Sequence, residues 1–125
     1  MEGKKIFIVE DDMIIQMFIE RILENLGLDI VGEARTGDET LAFLEKERPD
    51  FILMDIGLAG NKDGIETAEI INQKHQIPII FLTGNSDKPT LARAEKTNPI
   101  GFINKPIDEA SLKSVMQKYF NKKIN

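Results

Sequence analysis

An α/β fold, a doubly wound parallel sheet built from five successive βα units, is what this chain predicts. Three observations carry that reading. Short apolar runs alternate along the chain with longer amphipathic stretches. The alternation occurs five times, and no internal repeat, low-complexity tract or linker interrupts it. Most of the runs are apolar at nearly every position, the pattern of strands covered by helices on both sheet faces. The 125 residues suit one domain, residues 1–125, large enough to bury a core without staples.

The elements follow in order. Ile6-Phe7-Ile8-Val9 is β-branched-rich and reads as a buried strand. Asp11 or Asp12 then caps a helix whose positions Ile14, Phe18, Ile22 and Leu26 form an i, i+4 stripe, stopped by Gly27. Leu28 to Ala34 is a second strand, less apolar and placed nearer an edge. Thr36-Gly37-Asp38 opens a helix with Leu41, Ala42, Phe43 and Leu44, and Pro49 closes that region. Phe51-Ile52-Leu53-Met54 is the third strand and stops at Asp55. A loop with Gly57, Gly60, Asn61, Asp63 and Gly64 leads to a helix bearing Ile65, Ala68 and Ile71. Pro78 to Leu82 is the fourth strand, ending at Thr83-Gly84. A weakly patterned helix over 88–97 follows, then a short fifth strand from Ile100 to Ile103. Asp108 or Ser111 starts the last helix, with Leu112, Val115, Met116, Tyr119 and Phe120 as its apolar stripe.

Bulk composition removes several function classes. The net charge of −5 lacks the broad basic footprint of a nucleic-acid binder, so no direct nucleic-acid contact is expected. With no cysteine, disulfides, thiolate catalysis and Cys-based zinc sites are excluded. No apolar run approaches the roughly 20 residues of a membrane span, and no signal-peptide core follows the first residues. A cytoplasmic protein without membrane contact is expected.

In an open parallel α/β sheet, ligands bind beyond the carboxyl ends of the strands. Glu10, Asp11 and Asp12 follow the first strand, Asp55 the third, Thr83 the fourth and Lys105 the fifth. Crowded carboxylates repel one another and call for a counter-charge. A hard divalent cation fits; Mg²⁺ in particular favours few carboxylates, retained waters and a phosphate. Lys105 adds a compact positive charge for an anionic ligand, and Thr83 a hydroxyl donor. A carboxylate nucleophile, a metal and a lysine together equip a site for phosphoryl transfer to an aspartate. Taken singly, each residue has a plainer reading: acids after a strand as helix caps, Asp55 and Thr83 as turn residues, Lys105 as a solvated charge. Their joint occupation of successive strand ends carries the functional reading.

Five segments also resemble one family. Ile8-Val9-Glu10-Asp11-Asp12, Phe51-Ile52-Leu53-Met54-Asp55, Asp63-Gly64, Phe81-Leu82-Thr83-Gly84 and Gly101-Phe102-Ile103-Asn104-Lys105-Pro106 resemble, in order and across nearly the whole chain, the motifs of response-regulator receiver domains of two-component signalling. The resemblance implies a flavodoxin-like strand order 2-1-3-4-5. It implies that Asp55 is the phosphoacceptor, that Glu10 and Asp11 are the acidic pair with Asp11 the more direct Mg²⁺ ligand, and that the backbone carbonyl of Gly57 is a further ligand. Lys105 would pair with the phosphoryl group, Thr83 would swing toward it, Phe102 would turn inward, and the Lys105-Pro106 bond would be cis. The implied donor is a sensor histidine kinase or a histidine phosphotransfer protein. The implied output is a switch of the face made by the fourth helix, fifth strand and fifth helix, also a possible homodimer surface, with an unknown downstream effector. Such a domain is a switch that assists its own phosphorylation and dephosphorylation rather than an enzyme. The chain departs from the common pattern in a loop one residue longer between Asp55 and Asp63-Gly64, in Ala59 where proline is frequent, in Gly84, and in Asn98-Pro99-Ile100.

Rival readings fit less well. A phosphatase of the haloacid dehalogenase type needs a second acid two residues after the nucleophile, where this chain has Gly57. No glycine-rich phosphate loop follows the first strand. His75, the single histidine, sits in the polar run Gln73-Lys74-His75-Gln76 at a helix end, and the alternating pattern does not fit a helix-bundle phosphotransfer module. A receiver fold acting as an interaction domain without phosphorylation is the alternative against which the intact acceptor, acidic pair, threonine and lysine argue.

Overall fold

The computed structural model describes residues 3–84 and 86–124, side chains from 120 onward aside. Its elements are β1 (Lys5–Val9), α1 (Met13–Asn25), β2 (Asp29–Ala34), α2 (Gly37–Leu44), β3 (Phe51–Asp55), α3 (Gly64–Lys74), β4 (Ile79–Thr83), α4 (Lys88–Glu95), β5 (Gly101–Asn104) and α5 (Glu109–Ile124). The five strands form one sheet in the order β2-β1-β3-β4-β5, and every neighbouring pair is parallel. This is the expected doubly wound, flavodoxin-like α/β fold, with β2 at an edge.

Strand alternation divides the core into two layers. Phe7, Val9, Ile52, Met54, Ile79 and Phe81 pack on the side of α2, α3 and α4, with Leu44, Ile65, Ala68, Ile71 and Ala94. Ile6, Ile8, Phe51, Leu53, Ile80, Leu82 and Ile103 pack on the side of α1 and α5, with Ile19, Leu23, Leu112 and Met116. Strands apolar on both faces are therefore buried on both faces, as their sequence requires.

Helix starts follow side-chain capping. Asp12 Oδ1 accepts from the amides of Ile14 and Ile15, Thr36 caps α2, and Asp87 accepts from Thr90 to cap α4. Asp63 and Glu66 form a reciprocal capping box on α3. Asp108 receives the Ser111 amide at the start of α5, which settles which of the two residues caps it.

One expected stripe is corrected. Ile14 and Phe18 are 80% and 52% exposed, so they do not face the core. The buried side of α1 is Ile19, Ile22 and Leu23, with Ile15 and Leu26 partly buried beside them. Six of the seven residues from Met13 to Ile19 are apolar, so helical periodicity fits two faces equally well. Element ends also shift by a residue or two: β4 begins at Ile79 rather than Pro78, and β5 runs from Gly101 to Asn104 rather than from Ile100 to Ile103. β2 begins at Asp29 rather than Leu28, which lies buried just after the turn at Gly27. α4 ends at Glu95 rather than at residue 97, because Asn98 takes a left-handed φ of 57° and Pro99 follows. The Phe120 side chain, expected on the α5 stripe, lies outside the described residues.

Candidate functional site: an acidic rim faced by Lys105

Parallel pairing continues one residue past several strands and so fixes the rim. Glu10 N–H donates to the Ala34 carbonyl, Ile56 N–H to Leu82, and Lys105 N–H to Thr83, at 3.0, 3.0 and 2.8 Å. Glu10, Asp55 and Lys105 therefore converge because each stands at the same end of one sheet, Glu10 after β1, Asp55 at the end of the adjacent β3, and Lys105 after β5 on the far side of β4. The Lys105-Pro106 peptide is cis, as the resemblance implied.

Lys105 Nζ lies 3.0 Å from Asp55 Oδ2 and 3.1 Å from Glu10 Oε1. Glu10 is fully buried and Asp55 is 7% exposed. Glu10 Oε2 accepts from the Asp12 amide, whereas its buried Oε1 takes no hydrogen bond. Asp55 Oδ1 accepts from Gly57 N–H at 3.1 Å, and Asp11 Oδ2 accepts from Ala59 N–H at 3.2 Å. The Arg35 guanidinium reaches the Asp11 carbonyl.

These contacts account for the electrostatics. Burial pushes the Glu10 carboxyl above the usual carboxylate range, and the neighbouring Asp55 charge adds to it, against the Asp12 amide and Lys105. Burial works against the Lys105 ammonium, yet its hydrogen bond to Asp55 and the close carboxylates of Asp55 and Glu10 outweigh it and hold the lysine above its ordinary value.

Glu10, Asp11 and Asp55 each offer a carboxylate oxygen, all within 4.8 Å of one another. Three hard oxygen donors, one backed by a buried oxygen without a hydrogen bond, suit a small hard cation such as Mg²⁺. An open cleft of about 420 Å³ runs from Asp55 and Gly57 past Gly84, Ser86 and Thr90 to Lys105, leaving room for an anionic ligand beside the carboxylates.

The sequence-predicted residues divide as follows. Glu10, Asp11, Asp55 and Lys105 come together. Asp12 serves α1 as its cap, the plainer of its two readings. Gly57 enters through its amide. Thr83 is 4% exposed and donates its hydroxyl to Ser86 Oγ at 2.5 Å. Phe102 is half-buried and stacks on Phe81 with centroids 5.9 Å apart. His75 is the C-cap of α3. Sequence reasoning missed Ser86, Arg35 and the Ala59 amide, because a loop residue's partner is set by the turn and not by residue type.

An acidic cluster faced by a lysine at the carboxyl ends of an open parallel sheet offers adjoining places for a cation and an anionic ligand. The family model of the response regulator receiver domain matches residues 6–117, and the chain belongs to that family, the receiver domains of two-component systems. It is 32% identical over 109 residues to the transcriptional regulatory protein PdtaR of Mycobacterium tuberculosis, covering 87% of this chain and 53% of that protein. The chain thus spans about half the length of that curated relative. Among solved structures, the signal receiver domain of a modulated diguanylate cyclase from Desulfovibrio desulfuricans G20 superposes with a TM-score of 0.90 at 34% identity, covering 98% of this chain and 97% of that one. The receiver domain of sensor histidine kinase PA1611 from Pseudomonas aeruginosa PAO1, solved with a magnesium ion coordinated in its active site cleft, gives 0.82 at 30% identity, covering 95% and 98%. Among the described residues, no helix is long and apolar enough to cross a membrane.

Proposed function

We propose that Asp55 accepts a phosphoryl group from the phosphohistidine of a sensor histidine kinase or histidine phosphotransfer protein, and that acceptance switches the α4-β5-α5 face. The observation that carries this reading is the convergence of Asp55 with Glu10, Asp11 and Lys105. Glu10, Asp11, Asp55 and the Gly57 carbonyl would hold Mg²⁺, as the likeness to the magnesium-bound receiver of PA1611 supports. Bound Mg²⁺ supplies positive charge against the incoming phosphoryl oxygens.

The chain's own residues do the rest. An Asp55 carboxylate oxygen attacks phosphorus, the new P–O bond forms as the P–N bond breaks, and the electron pair leaves on the imidazole nitrogen. Lys105, already 3.0 Å from Asp55, pairs with the transferred group. The added charge of roughly −1.5 to −2 draws in the Thr83 hydroxyl. Space opened behind Thr83 lets Phe102 move further inward and couples the rim to α4 and α5, a face that would meet the downstream effector or a second copy.

Donor docking has a ready surface. Met13, Ile14, Met17 and Phe18 are 52–80% exposed on α1. Ile14, Ile15 and Phe18 line a groove of about 440 Å³ with Leu82, Pro106, Ile107 and Lys105 itself. An apolar helix seated there would lie beside the lysine of the acceptor site. A partner of this kind belongs to the cytoplasm, where this reading places the chain.

The test is intact mass after incubation with acetyl phosphate and Mg²⁺, beside an Asp55→Asn control and an EDTA sample. One phosphoryl adduct that requires both Mg²⁺ and Asp55 is expected. No adduct, with Mg²⁺ binding also absent by titration, would leave an interaction domain.

A further inference from the structure

We infer that Ser86 is a positioning residue that holds Thr83 in the resting state, so that activation must break a specific hydrogen bond. This rests on Asp55 being the phosphoacceptor. Thr83 is almost wholly buried and its hydroxyl donates to Ser86 Oγ at 2.5 Å. A swing of Thr83 Oγ1 toward a phosphoryl oxygen on Asp55 takes it off Ser86 Oγ, whichever of the two hydroxyls donates. The two contacts therefore compete, and the occupancy of the Ser86 contact opposes recruitment of Thr83 to the phosphorylated rim.

The surroundings make the exchange specific to this side chain. Ser86 is half-buried, stands between the end of β4 and the Asp87 cap of α4, and lines the cleft that also contains Asp55 and Lys105. When Thr83 leaves, the Ser86 hydroxyl turns to solvent in that cleft. The penalty is then one traded hydrogen bond and not a stranded polar group. Next to Thr83, a Cβ on Gly84 would meet nothing within 4 Å, so no neighbour crowds residue 84. Ser86 also links Thr83 directly to the start of α4, the element whose face must change.

The experiment compares wild type, Ser86→Ala, Ser86→Thr, Thr83→Ala and the Thr83→Ala/Ser86→Ala double variant. Apparent affinity for beryllofluoride, a phosphoryl mimic, is measured with Mg²⁺ for each, with Thr83 methyl NMR couplings on the untreated proteins that retain Thr83. Ser86→Ala should bind beryllofluoride about 2- to 10-fold more tightly, the range one net hydrogen bond allows. Its Thr83 side chain should average between rotamers where wild type holds one. Ser86→Thr should restore both readings, since it keeps the hydroxyl. The gain should vanish in the Thr83→Ala background, which a general loosening of the loop would not produce. Equal affinity in wild type and Ser86→Ala, or a gain that persists without Thr83, overturns the restraint while leaving the acceptor reading intact. A wild-type protein that binds no beryllofluoride overturns the acceptor reading, and the restraint with it.

Discussion

Lys105 Nζ stands 3.1 Å from Oε1 of Glu10, a fully buried carboxylate oxygen that takes no hydrogen bond. The same ammonium is 3.0 Å from Asp55. One lysine thus offsets two carboxylates, and those two would otherwise face each other in a poorly solvated space.

Removing that charge has a cost in the metal-free protein. Lys105→Met leaves Glu10 and Asp55 without their shared cation. In EDTA, urea unfolding should show a loss of about 1–3 kcal/mol, the penalty of stranding charged acceptors. Added Mg²⁺ should recover part of it by occupying the same carboxylates, and more in the variant than in wild type. Equal Mg²⁺ stabilisation of both proteins would show that the lysine and the cation do not share these acids.

A second acid pair gives a pH signature away from the site. Partial desolvation of its carboxyl pushes Glu33 on β2 up to about 7, and Glu20 on α1 adds to the shift by hydrogen bond and charge, against Gln16. The raised value means that the folded protein binds more protons than the unfolded chain between the ordinary value of 4.5 and about 7. Stability from this group is therefore complete below 4.5 and is lost as pH rises through 7. Glu33 is exposed, so the effect stays below about 1 kcal/mol after screening. Glu33→Gln should match wild type near about pH 4 and exceed it near about pH 8. Thermal melts across that range decide it, and a constant offset between the two proteins would refute the shared proton.

The α1 face separates docking from chemistry. Phe18 is 52% exposed and contributes to the groove beside Lys105. Phe18→Ser should change stability by less than about 0.5 kcal/mol, as for an exposed position. Phosphorylation by acetyl phosphate should be unchanged, while transfer from a phosphohistidine protein should slow several-fold. Equal slowing with both donors would mean that Phe18 supports the site and not a partner.

That face also marks where sequence reading stops. The strands were legible because Ile6 to Val9 and Phe51 to Met54 are apolar at every position, which only burial on both sides allows. The site was legible because Glu10, Asp11, Asp55, Thr83 and Lys105 all stand at strand ends, and the parallel ladder then brings the carboxylates and the lysine together. α1 was misread at Ile14 and Phe18 because its first two turns are apolar nearly all round. An interaction surface and a core face have the same composition, and periodicity separates them only when a polar face exists. Ser86 was invisible for a different reason: its value lies in one hydroxyl contact made by a turn.

The Asp63-Gly64 pair, read in the sequence as loop residues and as part of a resemblance, has a physical cause that mutation can expose. Gly64 N–H donates to the Ile56 carbonyl at 2.9 Å and closes the loop that follows Asp55. A Cβ at Gly64 would fall onto the Asp55 carbonyl oxygen and 3.0 Å from its carbonyl carbon. Both obstacles are backbone, held by the pairing of β3 with β1 and β4, so they yield only if β3 shifts. Gly64→Ala should therefore cost about 1–3 kcal/mol, the range for forced overpacking. It should also weaken Mg²⁺ binding, because moving Asp55 separates it from Glu10 and Asp11. Asp63→Asn offers the contrast: it keeps an acceptor for the Glu66 amide at the cap and places no atom against Asp55. It should leave Mg²⁺ affinity near wild type. Mg²⁺ titration beside urea unfolding reads both quantities on each variant. Undiminished Mg²⁺ affinity in a destabilised Gly64→Ala protein would show that the loop absorbs the methyl group and that the close approach does not position Asp55.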